Sequence, residues 1–83
     1  MNTIWYHFIE RDDKSYDVCA ESFKKAVLNL AHYHGDASEL FRKCLSGFGD
    51  DDIDGIVELY NHFVYTPIEK IYVVKESIYP AEK

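Results

Sequence analysis

The chain has 83 residues, enough for one domain that buries about 60–65% of the surface its unfolded form exposes, and so for a single two-layer core. With 47% apolar and 29% charged residues and only four Gly, it reads as globular, without repeats or low-complexity tracts. Fifteen acids against nine bases give a net charge of −6, which argues against direct nucleic-acid binding, because neutralising phosphates takes a basic stripe.

Residues 3–10, "TIWYHFIE", are β-branched and aromatic with two alternating faces: Ile4, Tyr6 and Phe8 on one side, Trp5, His7 and Ile9 on the other. "RDDK" supplies turn chemistry and "SYDVC" reads as a returning strand, which predicts an N-terminal hairpin. Ser22 is placed to cap a first helix that ends near His34, with Gly35 as its left-handed stop. Its apolar stripe is Phe23, Ala26, Val27, Leu30, Ala31 and His34.

A second helix opens with "DASE", where Asp36 caps and Glu39 reaches back, and Gly47 or Gly49 ends it. Leu40, Phe41, Cys44, Leu45 and Phe48 form its apolar face, so Cys44 is expected in the core. A third helix carries Ile53, Ile56, Val57, Tyr60, Phe63 and Val64 and stops by Thr66, because Pro67 disfavours helical geometry before it. "IEKIYVVKES" is a second long strand. The fold class that follows is α+β: an N-terminal hairpin, three helices and a C-terminal strand in the order ββαααβ, with a small antiparallel sheet covered by helices on one face. Residues 1–79 form a single domain and 80–83 a flexible tail.

The charge is unevenly placed. From Cys44 through Glu69 there is no Lys or Arg, yet Asp50, Asp51, Asp52, Asp54, Glu58 and Glu69 all occur there; the rest of the chain is neutral. Over its twelve residues, Asp50 to Asn61 resembles an EF-hand calcium loop. That resemblance implies Asp50, Asp52 and Asp54 as side-chain ligands, Gly55 as the sharp turn, Ile56 as a carbonyl ligand and Glu58 at the ninth position. It departs at the twelfth position, where Asn61 replaces the bidentate Glu, and no second loop exists. Helical periodicity already begins at Ile53, so the reading preferred here is a helix start, capped by Asp50 or Asp51 with further carboxylates at the positive end of the dipole.

A cap uses one or two acids, and this run has four within five residues. On a helical wheel Asp54, Glu58, Asn61 and Tyr65 align on the outer side, continuing the acidic loop into an acidic stripe that ends in an aromatic ring. The four histidines show no His-x-x-x-His spacing and the two cysteines no Cys-x-x-Cys pair, so neither a metal ligand set nor a catalytic pair is local in sequence.

The expectation is therefore a non-enzymatic, cofactor-free protein-binding module. Its docking residues would be Asp50, Asp51, Asp52, Asp54, Glu58, Asn61 and Tyr65, with Tyr60 adding to the aromatic anchor. Its partner would be a basic protein, most naturally one that binds nucleic acid, whose phosphate track the carboxylates imitate. In size and charge alone the chain is similar to phage-encoded inhibitors of host defence, anti-CRISPR proteins among them. A calcium-responsive module using the 50–61 loop, and a small enzyme or enzyme subunit, are the alternatives. No apolar run reaches the roughly 18 residues of a membrane span, and "MNTIWYHFIERDD" lacks the pattern of a signal peptide. Two distant cysteines fit reduced thiols, so a cytoplasmic protein is expected.

Overall fold

Why the first two strands meet is decided at their turn. In the computed structural model, which describes residues 3–64 and 67–77, β1 (Thr3–Glu10) and β2 (Ser15–Ala20) pair antiparallel, with Ile4 opposite Ala20 and Ile9 opposite Ser15. Asp13 takes the left-handed conformation (φ 69°), which a short polar side chain tolerates. Its N–H donates to the Glu10 carbonyl at 2.9 Å, and the Glu10 N–H to the Lys14 carbonyl at 2.8 Å. The "RDDK" stretch is the turn its composition predicts.

β3 (Ile68–Ser77) pairs antiparallel with the other side of β1, giving a three-stranded sheet in the order β2-β1-β3. Between β2 and β3 run α1 (Phe23–His34), α2 (Glu39–Leu45) and α3 (Ile53–Phe63), so the chain is ββαααβ, a small α+β fold. α1 packs on β2 and α3, α2 packs on α3, and α3 reaches β3. Tyr6 and Phe8 point from β1 into this layer, where both rings meet Phe23 of α1 at centroid distances of 5.5 and 5.9 Å. Phe41 brings α2 onto the same core through Tyr60 and Phe63 of α3. Trp5, His7 and Ile9 occupy the opposite, uncovered face of the sheet, as the alternation predicts.

α1 follows its sequence closely. The Ser22 hydroxyl accepts from Lys25 N–H at 3.2 Å. Gly35 ends the helix at φ 77°, and the N–H groups of Gly35 and Asp36 return to the His32 and Ala31 carbonyls at 3.0 and 2.8 Å.

α2 differs from expectation in two respects. Ser38, not Asp36, is the cap: its hydroxyl accepts from Phe41 N–H at 3.1 Å, and the helix ends at Leu45 before either glycine. A seven-residue helix has room for one buried pair, Phe41 and Leu45. Cys44 and Leu40 flank that narrow stripe and face solvent, Leu40 being 59% exposed, so Cys44 is not a core residue. α3 ends at Phe63 with Val64 extended; Tyr65 and the tail at 80–83 lie outside the described residues.

Candidate protein-docking surface

The acidic run sits where the N-termini of two helices converge, and each aspartate has a distinct task. Asp52 is the N-cap of α3, accepting from Gly55 N–H at 3.3 Å, so the cap falls at Asp52 and not at Asp50 or Asp51. Asp51 crosses to the first residue of α1, where its carboxylate accepts from Phe23 N–H at 3.3 Å. Asp50 accepts from Lys24 N–H through its backbone carbonyl at 2.9 Å, and its carboxylate stands 3.6 Å from the Lys24 ammonium. The run therefore clamps α1 to α3 with charges placed at the positive ends of both helix dipoles.

This accounts for much of an excess that one cap left unexplained. It also revises the expectation of an acidic patch without nearby cations. Lys24 and Lys25 belong to α1 beside it, and with Glu21, Ser22, Leu28 and Asp50 they line a shallow hollow of about 460 Å³. Asp54 and Glu58 are exposed on the first turns of α3, and among the described residues neither has an ion pair or hydrogen bond. Between Asp52 and Asp54, Ile53 is 42% exposed: the residue that opens the helical pattern lies at the helix end, beyond reach of the core, and sets an apolar contact amid the acids.

Two residues assigned to the outer stripe by the helical wheel are not free to dock. Asn61 turns toward β3, where its amide NH₂ donates to the Ile68 carbonyl at 3.1 Å and its oxygen accepts from Ile68 N–H at 2.8 Å. This two-sided bond ties the start of β3 to α3, and a wheel carries no information about it. Tyr60 is fully buried, so it offers no aromatic anchor. Tyr65 lies outside the described residues.

Helical geometry from Ile53 onward places Asp54, Gly55 and Glu58 in the turns of α3, whereas the calcium-loop resemblance needs this stretch unwound to wrap an ion. Gly55 has a different reason to be glycine: a Cβ there would stand 2.7 Å from an Asp52 carboxylate oxygen and 2.8 Å from the Phe48 ring. The missing side chain lets Phe48 close over the first turn of α3 and Asp52 cap it. Among the described residues no three His, Cys, Asp or Glu side chains gather around a common point.

A polar cluster at the opposite end of α1 is not visible in any motif. Glu10, 1% exposed, accepts a hydrogen bond from His34 Nε2 at 2.8 Å. The His34 ring stands edge-on to Tyr16 at 5.0 Å and Tyr33 at 5.4 Å. Close by, the Tyr60 hydroxyl is buried with no hydrogen-bond partner among the described residues. Burial, reinforced by the carboxylates of Glu10 and Asp36 and by Tyr16, holds its pKa well above the usual tyrosine value. The signal for Glu10 was in the strand alternation: Tyr6 and Phe8 face inward, so the next inward position is Glu10.

On the uncovered face of the sheet His7 Nδ1 pairs with Asp17 at 2.6 Å, an exposed contact. A scan against protein-family models finds no match to the chain, and neither do searches of curated proteins and of solved structures.

Proposed function

We propose that the protein is a small binding module that docks an anionic surface onto a basic site of another protein. The observation that carries this reading is the concentration of exposed carboxylates at Asp50, Asp51, Asp52, Asp54 and Glu58, several of them fixed in place by the fold. A carboxylate already held by a backbone N–H loses little freedom on binding, so pre-organised charge supports affinity better than charge on a mobile loop. Asp54 and Glu58, with no partner of their own among the described residues, supply attraction not already spent within the fold. Ile53, exposed between Asp52 and Asp54, supplies apolar contact. Carboxylates held along a loop and a helix present spaced negative charge as a phosphate track does. On that reading the partner is a nucleic-acid-binding protein, and the module acts as an inhibitor or regulator of the phage anti-defence kind, in the cytoplasm.

The test is charge reversal at the two acids without a structural task. The double variant Asp54→Lys/Glu58→Lys should keep the wild-type circular dichroism spectrum and lose the partner that wild type captures from host extract. Wild type should displace labelled DNA or RNA from the captured partner. Retention of the partner by the double variant, at the same salt, contradicts the docking surface; retention of nucleic acid in the presence of wild type contradicts the mimicry.

A further inference from the structure

The two edges of the sheet are built differently. β3 meets β1 with register shifts at Trp5/Tyr6 and Ile9/Glu10 and exposes Glu69 and Lys70; bulges and charges of this sort blunt an edge against pairing. β2, at the other edge, pairs with β1 through an unbroken register and has neither bulge nor proline. The bond from Glu10 N–H to the Lys14 carbonyl fixes the phase of this hairpin. Tyr16, Val18 and Ala20 make the ladder with β1, and the backbone groups of Ser15, Asp17 and Cys19 point away from it. Among the described residues no backbone hydrogen bond outside the ladder reaches them.

A groove runs along this same edge. It has a volume of about 410 Å³ and lies between β2 and α1, with Tyr16, Val18, Leu30 and Tyr33 on the helix side and Trp5 and Cys19 on the uncovered side. Tyr33 is 73% exposed and its ring stands 5.5 Å from Tyr16, so the outer wall is aromatic. Among the described residues that line it the only charged one is Asp17, whose carboxylate is exposed and also stands 2.6 Å from His7 Nδ1.

We infer that the β2 edge takes an extended, cationic segment of a partner protein as a fourth strand. The segment's backbone would pair with Ser15, Asp17 and Cys19, and its alternate side chains would enter the groove beside α1. An added strand lies about 4.7–4.9 Å from β2, which brings its helix-side residues against Tyr16, Val18 and Tyr33. Lysine or arginine in the segment meets Asp17, whose carboxylate is exposed, and among the described residues no Lys or Arg lines the groove to oppose it. A second copy of the chain suits this edge less well: each copy carries a charge of −6, and pairing about Asp17 sets two carboxylates face to face. The inference stands on β2 and α1 and does not depend on residues 50–58.

The experiment uses a display library of short random peptides selected on the full chain. Two variants serve as comparisons: Cys19→Pro, which removes one outward N–H, and Tyr33→Ala, which removes the exposed wall of the groove without touching the strand. Enriched peptides should alternate apolar residues and carry Lys or Arg. A synthetic copy of one should slow amide exchange at Ser15, Asp17 and Cys19, and bind Tyr33→Ala at least about tenfold more weakly. Asp54→Lys/Glu58→Lys should bind it as wild type does, which separates this surface from the acidic one. No enrichment, enrichment equal on Tyr33→Ala, protection elsewhere, selection of acidic or helical peptides, or self-association through β2 would each overturn the inference. If Cys19→Pro fails to fold, Tyr33→Ala and the exchange pattern still decide.

Discussion

Glu10 and His34 hold the C-terminal end of α1 against the sheet, and their contact has a definite energetic character. Removing one member of a buried pair leaves the other unpaired, at a cost of about 3–5 kcal/mol for fully desolvated charges. His34 is partly exposed and what is lost is the hydrogen bond to the buried Glu10 carboxylate, so His34→Ala should cost less, about 1–3 kcal/mol in denaturant titration. A loss under about 0.5 kcal/mol, the scale of a surface pair, would show that the pair is solvated. Tyr60 behaves oppositely. A buried hydroxyl without a partner costs about 1–3 kcal/mol, so Tyr60→Phe should leave stability unchanged or raise it. Its pH behaviour has a clear sign. Because the folded state raises the Tyr60 pKa above the ordinary value of 10.0, only the unfolded chain releases this proton as pH climbs past that value. Stability should therefore hold up to pH 10 and decline above it as pH approaches the raised folded-state pKa, with a shallower decline in Tyr60→Phe. Equal alkaline slopes for the two proteins would contradict the assignment. At Gly55, helix propensity favours alanine, but Phe48 and Asp52 occupy the space; Gly55→Ala should destabilise by about 1–3 kcal/mol, and a gain in Tm would show that Phe48 yields.

At the scale of elements, the aspartates of the 50–52 run separate by task. Asp51→Ala should weaken α1 and Asp52→Ala should weaken α3, each by about 1 kcal/mol, read as faster amide exchange in the first turn of the helix concerned. Exchange that rises equally in both helices for either variant would contradict two separate caps. These elements also show what a sequence can and cannot convey. β1 and the three helices were legible from periodicity, because each buries one face and the spacing of its apolar residues records that face, whereas β2 was legible from the turn chemistry before it and β3 as a strand segment after Pro67. The start of α3 at Ile53 was legible from the same spacing, although Ile53 itself is 42% exposed and lies off the buried face. The bond from Asp51 to α1 was not, since it joins residues 28 apart in sequence. Nor was the position of Asn61: a wheel places it outward, and only the proximity of β3 gives its amide a partner. Cys44 and Leu40 misled because a short helix packed on a single neighbour has a narrower buried stripe than its composition suggests.

Across the whole molecule, the sheet, the helical layer and the 50–58 segment divide the surface into regions of different character. The carboxylates concentrate where α1 and α3 begin, while the aromatic groove lies along β2 and the flank of α1. The position of the acidic corner was visible in the sequence as a stretch without Lys or Arg; its partial pairing with Lys24 required the fold. Lys24 and Lys25 reduce the local field without reversing it, since Asp54 and Glu58 stay unpaired among the described residues. Such a field accelerates encounter with a basic partner and is screened beyond about 8–10 Å at physiological ionic strength.

The proposed docking requires that these outward carboxylates steer a cationic surface into place. Stopped-flow association of wild type with its captured partner, followed across a series of salt concentrations, measures that directly. The rate constant should drop steeply as salt rises, and the Asp54→Lys/Glu58→Lys protein should be slow throughout; a wild-type rate indifferent to salt, or matched by the reversed protein, would contradict it.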